Sequence, residues 1–148
     1  MNDFIGSFRD LLLRHFRSPE GDPLPDGAGW GEVEKRNRTC GDRVGFSAIL
    51  EGDRVERLLY RVEGCAVTTG LASIVSKGAR GKEVETMLAQ LGELADGLRS
   101  EGESEPMPSP DPYGELGAAL AVRDLPSRRN CALIVLEASR EALRQAQR

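Results

Sequence analysis

Three cysteines and one aspartate are the residues of this chain best suited to chemistry. They are Cys40 and Asp42 in Thr39-Cys40-Gly41-Asp42, Cys65 after Gly64, and Cys131 after Asn130. Thiolates serve as nucleophiles and as soft metal ligands, and a carboxylate adds a harder oxygen donor. Three thiolates and a carboxylate suffice for a tetrahedral zinc site, and the same donors can hold iron. Gly41 permits a tight turn that aims Cys40 and Asp42 at one point, which a regular strand would not do without distortion. No CxxC knuckle is present, and the donors come from three distant segments, so such a site forms only once the domain has folded. A carboxylate in place of a fourth sulfur makes the site easier to open, which favours exchange or chemistry over a purely structural metal. Around a divalent ion these donors leave a formal charge of about −2. Arg128, shortly before Cys131, is placed to offset it; the plainer reading is a solvated arginine at a helix start.

The competing reading of the cysteines is that all three are small buried hydrophobes. Their odd number already argues against a disulfide framework. Each falls at the end of an expected element, where functional groups collect. Cys131 falls near a helix start, where free amide N–H groups and the macrodipole favour a thiolate.

The elements that must position these residues follow from periodicity. Phe4, Ile5, Phe8, Leu11, Leu12 and Phe16 recur at helical spacing over residues 3–17, ended by Pro19 and Gly21. His15 near the end of that helix reads as a capping or packing histidine rather than a ligand. Residues 18–31 are rich in Pro and Gly and read as a loop. Val44, Phe46, Ala48 and Leu50 alternate with polar or small residues, Glu51-Gly52-Asp53 supplies a turn, and Leu58, Tyr60 and Val62 resume the period of two. This predicts an antiparallel hairpin, with a third strand around 32–37. Residues 66–77 are small and mildly apolar and suit a closely packed helix. Val84, Met87, Leu88, Leu91, Leu94 and Leu98 mark a second, and a short helix follows at 113–121. Pro126-Ser127 starts a final helix running to about residue 147. Residues 99–112, with alternating prolines and mostly uncompensated acids, read as an exposed, mobile insertion, more a solvated loop than a partner contact.

Composition bounds the function. A chain of 148 residues with 39% hydrophobic and 30% charged residues fits one globular domain, taken as 1–148. A net charge of −4 argues against a surface built for nucleic acid. No apolar run approaches the roughly 20 residues needed to span a bilayer, so no membrane partner is expected. The N-terminus lacks the pattern of a secretory signal, and the cytoplasm is the expected compartment. With one histidine, no Gly-x-Ser-x-Gly elbow and no HExxH helix, a conventional hydrolase is not expected.

Taken together, Arg38-Thr39-Cys40-Gly41-Asp42, Glu63-Gly64-Cys65-Ala66-Val67 and Leu125-Pro126-Ser127-Arg128-Arg129-Asn130-Cys131 resemble the three signature regions of the SufU/IscU family of iron–sulfur assembly proteins, whose members are NifU N-terminal-like. The opening helix, with Leu12, Leu13, His15, Phe16 and Pro19, is similar to that family's, and Gly81-Lys82 falls at the expected distance. The long stretch between Gly81 and Cys131 favours the SufU branch. Arg38 stands where the family has proline, Gly70-Leu71 where it has Ala-Ser, and Asn130 where IscU-like members have histidine.

The resemblance implies an α+β fold in which a small antiparallel three-stranded sheet is packed on one side by helices. It implies that Cys40, Asp42, Cys65 and Cys131 bind zinc or a nascent iron–sulfur cluster, with Cys65 the fixed ligand and Asp42 the labile one. The partners it implies are a SufS-like cysteine desulfurase and iron–sulfur assembly or recipient proteins. Cys40 is then the expected sulfur acceptor, and Cys131 the alternative by analogy with IscU. Three functions are open: a zinc-dependent sulfurtransferase, a non-enzymatic scaffold for a [2Fe–2S] or [4Fe–4S] cluster, and a metal-stabilised adaptor without sulfur chemistry.

Overall fold

The computed structural model describes residues 3–99 and 111–148. Helix α1 (Asp3–Arg17) leads through strand β1 (Asp22–Pro23) to β2 (Val33–Asn37), β3 (Asp42–Glu51) and β4 (Arg54–Glu63). Helices α2 (Ala66–Ala79) and α3 (Val84–Arg99), a 3₁₀ segment (Asp111–Val122) and helix α4 (Pro126–Ala146) complete the order. The fold is α+β. Strands β2, β3 and β4 form the expected antiparallel meander, and the sheet order is β1-β4-β3-β2.

The fourth strand corrects the three-stranded sheet. It lies inside the stretch read as loop, where Asp22 and Pro23 pair in parallel with Leu59 and Tyr60. Two residues are too few to carry a period of two, and this strand is held by tertiary bonds instead. The Asp22 N–H donates to Ser76 Oγ at 2.9 Å, and the Leu24 N–H donates to the Tyr60 carbonyl at 2.7 Å.

Alternation along β3 decides what faces the helices. Val44 and Phe46 point inward and are fully buried, and on β4 Val55, Leu58 and Tyr60 do the same. Helix α4 packs on β2 and β3, and α2 packs on β4, so the core lies between one face of the sheet and the helices. On the other face Arg43 stacks over Trp30, with its guanidinium carbon 3.9 Å from the ring centroid. The period of two that sends Arg43 outward sends Asp42 into the helix layer.

The departures at Gly70-Leu71 are packing features. A Cβ on Gly70 would stand 2.3 Å from the Leu12 carbonyl oxygen, so a bare Cα lets α1 lie directly on α2. Leu71 is fully buried in the common core. The short helix expected at 113–121 is a 3₁₀ segment broken at Gly114, whose φ is 56°. The expected mobile insertion lies outside the described residues except at its ends, where Arg99 closes α3 and Asp111–Pro112 open the 3₁₀ segment.

His15 is a packing histidine. It is wholly buried, with Nδ1 2.7 Å from Ser73 Oγ and Nε2 3.6 Å from Glu20 Oε2. Burial lowers its pKa below the usual 6.5, outweighing the upward pull of Glu20 and then Glu115. A depressed histidine gives stability that is fully present above its unfolded pKa and is lost as pH falls through the folded value. Metal-free protein should therefore melt at a lower temperature at pH 5.5 than at pH 7.5. In His15→Gln that difference should shrink, as calorimetry at the two pH values would show.

Candidate metal centre

The site lies at the loop end of the β2–β3 hairpin. Asn37 and Asp42 are the closing pair of the ladder, and residues 38–41 form the connecting loop. Gly41 takes a φ of 78°, and its N–H donates to the Asn37 carbonyl at 2.7 Å, so the loop turns back as its glycine predicted. Cys40 is thereby exposed at the loop tip, while Asp42, two residues on, is 96% buried, at 4% exposure. Cys131, in the second turn of α4, meets them from the helix layer with no exposure at all. Donor atoms of Cys40, Asp42 and Cys131 lie within 4.8 Å of one another, and the two sulfurs are 3.5 Å apart.

Cys65 adjoins this trio. It caps the N-terminus of α2, and its N–H donates to Asp42 Oδ2 at 3.3 Å. Its sulfur lies 3.5 Å from Thr68 Oγ1, and that hydroxyl donates to the same carboxylate oxygen. Gly64 makes the approach possible, since a Cβ there would stand 2.7 Å from Asp42 Cγ. Arg128 is exposed and interacts with the sulfurs of Cys65 and Cys131, which raise its pKa, Cys65 the more strongly.

Burial alone would raise the Asp42 pKa, but hydrogen bonds from Thr68, Cys65 and Cys131 outweigh it and hold the carboxyl below its usual range. Asp42 is held by the Cys65 N–H and the Thr68 hydroxyl, whereas Cys40 is exposed. Cys131 behaves differently from a cysteine at a helix start. Burial, then its contact with Cys40, pushes its thiol up to about 12, with Asp42 and Cys65 adding to the effect. The macrodipole acts mainly within the first turn, and Cys131 has passed it.

Sequence reasoning missed two residues. Asn37 is buried, and its amide Nδ2 donates to Cys131 Sγ at 3.5 Å. Thr68 is buried against Asp42. Its signal was its place one helical turn after Cys65; Asn37 left only the hint of a residue three before Cys40.

The donor set fits a borderline-soft divalent ion. Two thiols and a hydrogen-bonded carboxylate already converge, a third thiol adjoins them, and a buried carboxylate is expensive to leave without a counter-charge. The residues that would hold it are Cys40, Asp42, Cys65 and Cys131.

The family model described as NifU-like N terminal domain matches residues 7–132. The chain belongs to that family. The domain's relatives include the zinc-dependent sulfurtransferase SufU of Bacillus subtilis (strain 168), 26% identical over 127 residues, which is 86% of this chain and 82% of that protein. They also include the iron-sulfur cluster assembly scaffold protein IscU of Streptococcus pyogenes serotype M1, 26% identical over 136 residues, 92% of this chain and 82% of that one. Among solved structures, a putative iron-sulfur cluster assembly scaffold protein for the SUF system from Fervidobacterium islandicum AW-1 shares the fold, with a TM-score of 0.68 and 19% identity. That likeness covers 97% of this chain and 96% of the other. Among the described residues, no helix of this NifU-like domain is long and apolar enough to cross a membrane.

Two outcomes follow from the geometry. A Cys131 thiol titrating near 12 stays protonated at neutral pH until metal displaces its proton, so the apparent zinc affinity should rise at least about tenfold per pH unit between pH 6 and 8. Competition titrations with a chelator at several pH values would measure it; a flat profile would contradict the arrangement. Gly64→Ala should push Asp42 off Thr68 and weaken zinc binding about tenfold or more, read in the same titration.

Proposed function

We propose that this chain serves iron–sulfur cluster assembly as a zinc-binding sulfur acceptor for a cysteine desulfurase. The observation that carries the reading is the asymmetry of the thiols: Cys131 and the Asp42 carboxylate are buried and hydrogen-bonded, whereas Cys40 is exposed on a glycine-hinged loop tip. A bound divalent ion would keep the thiols in their thiolate form. Cys40 can reach an incoming group without unpacking the core. Asp42, Cys65 and Cys131 stay anchored in β3 and at the starts of α2 and α4, and Arg128 carries positive charge to the thiols as anionic sulfur arrives.

The transfer is ordinary thiol exchange. The Cys40 thiolate attacks the outer sulfur of the partner's cysteine persulfide, the partner's S–S bond breaks, and its cysteine leaves as a thiolate. Cys40 becomes a persulfide, and no net oxidation occurs. An apolar groove lined by Leu12, Leu13, Val67 and Leu125 runs beside Arg128 and supports docking of the desulfurase next to the thiols.

The scaffold reading is favoured by one observation. The named scaffold protein aligns with 92% of this chain and the named sulfurtransferase with 86%. In that reading the same four residues hold an assembling cluster as cargo.

Purified without chelator, the protein should carry stoichiometric zinc and be colourless; a labile brown chromophore favours the scaffold. With a cysteine desulfurase and cysteine as substrate, wild-type protein should stimulate turnover and acquire a persulfide on Cys40 by peptide mass mapping. Cys40→Ala should lose both. If turnover ignores wild type and variant alike, sulfur transfer is ruled out and the scaffold and adaptor readings remain.

A further inference from the structure

Two arms of the site belong to different layers: the Cys40 loop rises from the edge of the sheet, and Cys131 rides on a helix packed over it. Nothing covalent keeps their sulfurs 3.5 Å apart. One buried side chain touches both arms. Asn37 ends β2, directly across the ladder from Asp42, and is 6% exposed. Its Oδ1 accepts the Thr39 N–H at 3.1 Å, and its backbone carbonyl accepts the Gly41 N–H, so it braces the residues on either side of Cys40. Its Nδ2 donates to Cys131 Sγ, 94 positions away.

The contact to Thr39 alone would be an ordinary turn-forming role for asparagine. The second contact has no such local explanation. An amide spends one end on the Cys40 loop and the other on the Cys131 sulfur, and asparagine is the residue that offers an acceptor and a donor on one short, planar group.

We propose that Asn37 is the positioning residue of the metal centre, its side-chain amide clamping the Cys131 sulfur to the loop that carries Cys40 so that the two thiols meet one ion as a pair. This rests on the reading that Cys40, Asp42, Cys65 and Cys131 hold a metal. It does not depend on sulfur transfer, and its test contains no desulfurase.

The test is a double-mutant cycle read by cobalt(II) competition titration of chelator-stripped protein. Asn37→Ala should weaken cobalt binding about 10- to 100-fold, as the loss of a group that orients a ligand does. In a Cys131→Ser background the same substitution should cost far less, because its partner sulfur is gone. A ratio of the two effects of about fivefold or more supports the clamp. A smaller ratio overturns it, since a merely structural asparagine costs the same in both backgrounds. If Cys131→Ser binds cobalt too weakly to titrate, diamide oxidation of the metal-free protein decides. Diamide takes two electrons and two protons from Cys40 and Cys131 to form their disulfide, and Asn37→Ala should slow that step about fivefold or more relative to alkylation of Cys65. Unchanged relative rates overturn the proposal.

Discussion

A carboxylate carried inside the protein by strand alternation is the constraint on which the rest of the site depends. Once Val44 and Phe46 face the helices, Asp42 must face them too, because a one-residue slip would turn the whole strand inside out. An unpaired buried carboxylate costs several kcal/mol, and a hydrogen bond to a charged group returns about 1.5–3 kcal/mol. The bonds from Thr68 and the Cys65 N–H therefore decide whether the strand can begin this way. They do so by fastening the start of β3 to the first turn of α2. Gly64 is the price of that closeness, since any side chain there would fill the space of the carboxylate.

From this fastening follow the unequal roles of the arms. Asp42 and Cys131 are immobilised by packing that the core needs for other reasons, while the loop between β2 and β3 leaves the sheet and takes Cys40 with it. A site with rigid arms and a single exposed thiol can release one donor without disturbing the fold. The slight excess of acids over bases in the chain as a whole does not extend here, since Arg128 interacts with the thiols. Local charge opposes net charge beside the thiols.

The meander and the long helices were legible because each carries its own period. Val44 to Leu50 alternate, Val84 to Leu98 recur at helical spacing, and Pro126 sits at the first position of α4. Strand β1 was not legible, because its partners Tyr60 and Ser76 lie in β4 and α2, far along the chain. The expected thiolate preference of Cys131 failed for a related reason. Proximity to a helix start is visible in sequence, but the burial that raises its thiol comes from neighbours the sequence does not place beside it.

The sequence by itself determined which residue types the site would use and that their segments end at turns: Cys40 before a glycine, Cys65 between strand and helix, Cys131 just inside a proline-started helix. These are local facts, and local chemistry suffices to read them. Only the tertiary structure decided how those residues divide the work. It buried Asp42, exposed Cys40, set the Cys65 sulfur beside the Thr68 hydroxyl, and brought Asn37 from the end of β2 to the Cys131 sulfur. Burial and hydrogen bonding are properties of neighbours, and here the bonds that fix Asp42 and join Asn37 to Cys131 span 23 to 94 positions.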